Sequence, residues 1–164
     1  MNNAILIRDY RSSDLPDILS LNEASVELLS PMDEPRFQYM AEQATIIWTA
    51  EVNNKVGGFM MIFNSSAHYD SPNFLWFNEH CTDFLYIDRI VINSASRGLG
   101  LGQKFYRKLS DYAVHSGYQR LVCEVDSDPP NQPSLHFHQQ QGFLEIAEFG
   151  PGSGKMVSLQ EKVL

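Results

Sequence analysis

The sequence predicts a mixed α/β sheet with helices packed on its faces. Three observations carry that expectation. Apolar runs of strand length recur along the chain, and two pairs of them are joined by turn signals. The strongest helical periodicity lies between two such runs, so that 84–92, 98–115 and 120–125 read as strand, helix, strand. Such a unit implies a parallel pair with a right-handed crossover. Finally, 164 residues with 43% hydrophobic and 12% aromatic content suffice for one core, which excludes whole-chain disorder and favours a single domain over 1–164.

The elements follow in order. Ala4–Ile7 is a short apolar first strand. Ser12, Ser13 and Asp14 offer N-cap side chains to a helix carrying Leu15, Ile18, Leu19, Asn22 and Val26 on one face, which Ser30-Pro31 breaks. Pro35 can open a second helix through Phe37, Met40 and Ala41. Thr45–Val52 and Val56–Phe63 form a hairpin about Asn53-Asn54. The aromatic-rich segment 64–82 reads as a loop with a short helix after Ser71, its Phe74, Trp76 and Phe77 suited to core or interface. Phe84–Ile92 is the strongest strand. Gly98–His115 is the strongest helix, with Leu101, Phe105, Leu109, Tyr112 and Ala113 on one face. Arg120–Val125 is a strand. The Pro-rich loop Asp128–Pro133 leads to a helix ending at Gly142, and Phe143–Phe149 with Met156–Val163 closes the chain as a hairpin.

Composition narrows the function classes. Twelve Lys and Arg against twenty Asp and Glu give a net charge of −8, without the positive field that draws nucleic acid. Cys81 and Cys123 have neither disulfide-scaffold nor metal spacing and read as free thiols in a reducing compartment; no metal site is expected. The start MNNAILIRDY lacks the apolar core of a signal peptide, and no run approaches the roughly 20 apolar residues of a membrane span. A cytoplasmic protein is the expectation.

The sharpest local signal is Arg97-Gly98-Leu99-Gly100-Leu101-Gly102, between the best strand and the best helix. Glycines allow a tight turn and close backbone approach, and free N–H groups at a helix start favour an anion such as pyrophosphate. Arg97 can add a charge-assisted contact. No Gly-Lys-Ser/Thr follows, so this is not a Walker loop. A dinucleotide fingerprint needs glycine at 103, where Gln103 stands. The pattern R/Q-x-x-G-x-G/A fits, and a plain tight turn remains the alternative.

That loop, the helix after it, strand 120–125 and the ending Phe137-His138-Gln139-Gln140-Gln141-Gly142-Phe143 together resemble the GNAT N-acyltransferase superfamily. The stretches Tyr69-Asp70-Ser71-Pro72-Asn73, Tyr86-Ile87-Asp88-Arg89-Ile90 and Cys123-Glu124-Val125 look like a bacterial subgroup of it. The resemblance implies a mostly antiparallel sheet with a central parallel βαβ unit and helices on both faces. It implies acetyl-CoA, or another acyl-CoA, as cofactor. The backbone from Arg97 through Gly98, Leu99, Gly100 and Leu101 to Gly102 would hold its pyrophosphate. Ile90, Val91 and Ile92 would pair with the pantetheine arm, with Asn131 and Phe137 beside it. Two central strands would splay to admit the acyl group.

Acyl transfer to an amine calls for a base, oxyanion donors and an acid for the leaving thiolate. The family's acid is usually a tyrosine directly after the helix Phe; here that position is His138, an acid, a thiol contact or a surface histidine. Asp88 is the first candidate base. In a regular strand it shares a face with Tyr86 and Ile90 and cannot pair with Arg89, unless a bulge intervenes. Glu124 is the second carboxylate, and either can instead form a structural ion pair, for example with Arg89. The resemblance places the acceptor pocket around the first helices and the segment before the fourth strand. Its candidates are Asn22, Glu23, Ser30, Tyr69, Asp70, Ser71, Asn73 and Tyr86, with capping and turn chemistry as the alternative for Asp70 and Ser71. A small-molecule or peptide amine acceptor follows, with a homodimer allowed. The competing classes are a non-catalytic acyl-CoA-binding regulatory module and an interaction protein using the aromatic segment.

Overall fold

The computed structural model describes residues 2–164, and Met1 lies outside them. Seven strands form one sheet in the order β1-β2-β3-β4-β5-β7-β6. The strands are β1 (Ile5–Asp9), β2 (Ile46–Val52), β3 (Lys55–Asn64), β4 (Phe84–Ile92), β5 (Arg120–Asp128), β6 (Leu144–Phe149) and β7 (Met156–Val163). The helices are α1 (Leu15–Glu23), α2 (Glu34–Gln43), α3 (Pro72–His80), α4 (Leu101–His115) and α5 (Gln132–Gln140). Every named pairing is antiparallel except β4 with β5, as the strand–helix–strand pattern requires.

Alternation along the strands divides the core in two. Phe84 and Tyr86 of β4 face α1, α2 and α3 together with Phe59, Phe63, Phe74 and Phe77. Leu85 and Ile87 face α4 with Phe105, Leu109 and Leu121. Phe74 and Phe77 are fully buried, so the aromatic segment is mainly core; Trp76 stacks on His80 at 4.0 Å. Ser71 caps α3 and Asp33 caps α2, each accepting from the third following N–H.

Three elements differ from the sequence reading. α1 stops at Glu23 and the chain continues in turns toward Ser30, leaving Val26 and Leu28 exposed. α4 begins at Leu101 because Gly98 and Gly100 hold φ of 82° and 75°, in the left-handed region. β5 runs on to Asp128, since β7 pairs with it as far as that residue.

Candidate active site

The site begins where β4 and β5 part. Their register runs through Phe84↔Arg120, Leu85↔Leu121 and Tyr86↔Val122 and then stops. Beyond it, the β5-facing edge of β4 has backbone donors and acceptors without a strand partner. A cleft of about 850 Å³ opens there, bordered by Ile87, Asp88, Arg89 and Ile90 on one side and by Cys123, Glu124, Val125 and Asp126 on the other. Asn131, Ser134, Tyr106 and His138 border it from the α4–α5 side, and Ser30, Tyr69, Asp70, Ser71 and Asn73 from the other.

The glycine turn lies at the end of β4. A Cβ at Gly98 or Gly100 would touch nothing within 4 Å, so these two glycines serve backbone conformation and leave the turn open to a ligand. The first N–H groups of α4 have no intrahelical acceptor. Gly102 has a different reason: its Cβ would lie 3.2 Å from Phe137, so it sets the close approach of α5 to α4. These features fit a pyrophosphate on the turn and an extended pantetheine arm along β4.

A β-bulge corrects the reading of Asp88. Met61 pairs with Arg89 and Ile62 with Ile87, so Asp88 has no residue opposite. The irregular spacing brings neighbouring side chains together: Arg89 Nε donates to Asp88 Oδ2 at 2.6 Å, with the two side chains 3% and 5% exposed. Tyr69 donates its hydroxyl to Asp88 Oδ1 at 2.6 Å. The remaining Arg89 nitrogens donate to Asn22 Oδ1 at 2.7 Å and to Ser30 Oγ at 3.0 Å. Asp88 is thus a bound counter-ion, the ion-pair alternative to a base at this position. Asn22 is fully buried on Arg89 and is not open to a substrate. Glu23 is exposed and lies off the cleft border, as does Tyr86, which is buried beneath it. Replacing Asp88 by Asn strands a buried guanidinium, so Asp88→Asn is expected to lower unfolding free energy by about 3–5 kcal/mol in urea denaturation. An unchanged midpoint would contradict that account.

Glu124 stands in a different environment. Tyr86 donates its hydroxyl to both carboxylate oxygens, at 2.9 and 2.8 Å. Burial, reinforced by the charge of Asp88, pushes the carboxyl up to about 8, while the hydrogen bonds from Tyr86 and Asn73 pull the other way. Glu124 keeps partial exposure toward the cleft. A cleft carboxylate that takes up a proton near neutral pH can serve as a base.

His138 is 5% exposed and both ring nitrogens are engaged. Nδ1 lies 2.7 Å from the Ser134 carbonyl, which only accepts, so Nδ1 carries the proton. Nε2 is then the acceptor and Tyr106 donates its hydroxyl to it at 2.6 Å. Burial pushes the imidazole below its usual range. A surface histidine is therefore excluded, and a directly donating acid is disfavoured. Tyr106 was not singled out in the sequence because it falls within an ordinary amphipathic face; no local pattern separates it from Phe105 or Leu109.

Comparison with solved structures finds the same architecture elsewhere. Ard1 from Thermoplasma volcanium superposes with a TM-score of 0.80 over 98% of both chains at 13% identity. The ribosomal-protein-S18-alanine N-acetyltransferase from Escherichia coli gives 0.72 over 98% of this chain and 94% of its own, at 16% identity. The sequence model of the acetyltransferase (GNAT) family matches residues 9–143, and the chain belongs to that family. Among curated proteins, the L-amino acid N-acyltransferase MnaT of Escherichia coli (strain K12) is 36% identical over 59 residues. That match spans 36% of this chain and 33% of the relative's length.

Proposed function

We propose that the chain is an N-acetyltransferase that moves an acetyl group from acetyl-CoA to the amine of a small molecule or peptide. The carrying observation is Glu124: a carboxyl with its proton affinity raised to about 8, bordering the gap between the parted strands β4 and β5. Family membership and the named activities of the similar proteins support the same class. Acetyl-CoA supplies the activated acyl carbon and a thiol leaving group. The turn Arg97–Gly102 binds its pyrophosphate through backbone N–H groups, and Ile90, Val91 and Ile92 offer their backbone to the pantetheine arm. Ionised Glu124 takes a proton from the acceptor's ammonium. Backbone N–H groups on the open edge of β4 are available to the carbonyl oxygen.

The acid role passes to the pair Tyr106–His138. The family's tyrosine is absent at 138, while Tyr106 on α4 borders the cleft with its hydroxyl held by the His138 ring. At rest the Tyr106 proton lies on the bond to His138 Nε2; turned out of that bond it is delivered to the sulfur, while the His138 ring fixes where the hydroxyl sits. Tyr106→Phe is expected to lower kcat by about 10²-fold while the KM for acetyl-CoA stays within twofold. Equal loss in kcat and in acetyl-CoA binding would assign Tyr106 to packing only.

Free Cys81 and Cys123 accord with work in a reducing compartment such as the cytoplasm. Among the described residues no helix is long and apolar enough to cross a membrane. The decisive experiment follows thiol release from acetyl-CoA against a panel of amines, amino acids and peptides, with CoA binding measured by thermal shift. Binding without thiol release would favour the regulatory-module reading; absence of CoA binding would overturn both.

A further inference from the structure

One end of the cleft holds an ammonium, and it belongs to the chain itself. Lys155 Nζ lies 3.1 Å from Asp126 Oδ2 and donates to the Glu27 carbonyl at 2.7 Å. Lys155 follows the glycine-rich β6–β7 connection, in which Gly152 and Gly154 have φ of 92° and 83°. Glu27 lies in the turns after α1. One side chain therefore crosses from the β6–β7 connection to the opposite wall, within the cleft that Glu124 borders.

Glu124 and Asp126 pair with Leu159 and Val157, two core residues of one face, so they lie on the same side of β5. Two residues along a strand separate their Cα atoms by about 7 Å. One position is a carboxylate suited to take the proton of a reacting amine. The other is a carboxylate and a carbonyl arranged around a primary ammonium. Val26, Pro151 and Val157 supply apolar surface along the same cleft, suited to an alkyl stem.

We propose that the acceptor is a diamine or a lysine-like cation, and that its second ammonium takes the place of Lys155 between Asp126 and the Glu27 carbonyl. This rests on the acyltransferase reading with Glu124 as base, and it adds the acceptor's chemical class. Lys155 is then an intramolecular competitor. It keeps a buried-edge carboxylate paired while the acceptor is away, and it withdraws along its glycine-rich connection when a second ammonium enters. An alkyl diamine with a spacer of about four to five carbons is comparable in length with the two-residue strand spacing.

The test is calorimetric binding to the full chain, which needs no turnover. Cadaverine is the probe, and 6-aminohexanoate, with a carboxylate replacing the second ammonium, is the control. Lys155→Met is expected to bind cadaverine about tenfold tighter, the factor restored when a competitor seated in roughly nine of ten molecules is removed. 6-Aminohexanoate should show no gain, and adding Asp126→Asn should abolish the gain for cadaverine. Lys155→Gln reports the same quantity should the Met variant fail to fold. Equal cadaverine affinity with and without Lys155, a like gain for 6-aminohexanoate, or a gain that survives Asp126→Asn would each overturn the proposal. Thiol release from acetyl-CoA, measured in parallel, judges the acyltransferase reading separately.

Discussion

Glu124→Gln is expected to lower kcat by about 10²–10⁴-fold, the usual scale for loss of a positioned base. The amide keeps the shape and the hydrogen bond with Tyr86 but cannot take a proton. Because Glu124 must be ionised to act, the parent rate should climb as pH rises through about 8, and the variant should lose that limb. Acetyl-CoA binding should hardly change. A stability measurement checks the same group independently. An ordinary glutamate ionises near 4.5 when unfolded, while Glu124 holds its proton to about 8 in the fold. Stability contributed by this group therefore falls as pH rises between those values and levels off above them. The Gln variant escapes that penalty, so its Tm relative to the parent should increase from pH 5 to pH 9. A Tm difference constant across that range, or a retained alkaline limb in the rate, would remove Glu124 from the base position.

Gly100→Asp should weaken CoA binding by roughly 100-fold or more. Its backbone has φ of 75°, strained for residues with a Cβ, although Asp is among those that tolerate it best. Nothing in the protein lies within 4 Å of the new Cβ, so protein crowding is not the cause. The added carboxylate stands at the start of α4, where free backbone N–H groups would otherwise receive the pyrophosphate. Loss of one or two charge-assisted hydrogen bonds costs about 3 kcal/mol, which is about 100-fold in Kd, before repulsion is counted. Gly100→Ala separates the effects: strain without charge should cost far less. Comparable losses in both variants would show that conformation, and not charge, governs the turn.

Particular residues explain what was legible in the sequence. The phosphate turn was readable because its glycines are local punctuation between a strand and a helix, and a left-handed φ has few residue solutions. The central β–α–β unit was readable because burial on both faces leaves an almost unbroken apolar strand at 84–92. The Asp88–Arg89 pair was legible only as an alternative to a base, because alternation holds only in a regular strand, and the bulge depends on how β3 meets β4 opposite Met61 and Ile62. The ranking of Asp88 over Glu124 was hidden for a related reason. Each is a lone carboxylate in an apolar run, and only the arrival of Arg89 at one and the burial of the other beside Asp88 separate a paired counter-ion from a carboxyl of raised proton affinity. Tyr106 meets His138 across two helices, 32 residues apart in sequence, a relation no local spacing records.

The early stop of the β4–β5 ladder has a mechanical consequence. β1–β4 and β5–β7 are two leaves joined along a spine of only three paired positions, Phe84–Tyr86 with Arg120–Val122. An extended amide-bearing ligand laid in the gap would act as the missing rungs and couple the leaves into one rigid plate. Amide hydrogen exchange along 88–92 should then slow sharply when CoA is present, while exchange along the β1–β2 ladder at the far edge stays as it was. Occupancy would thus be felt as a change in stiffness along the β4–β5 seam, on top of the two cores that already span it.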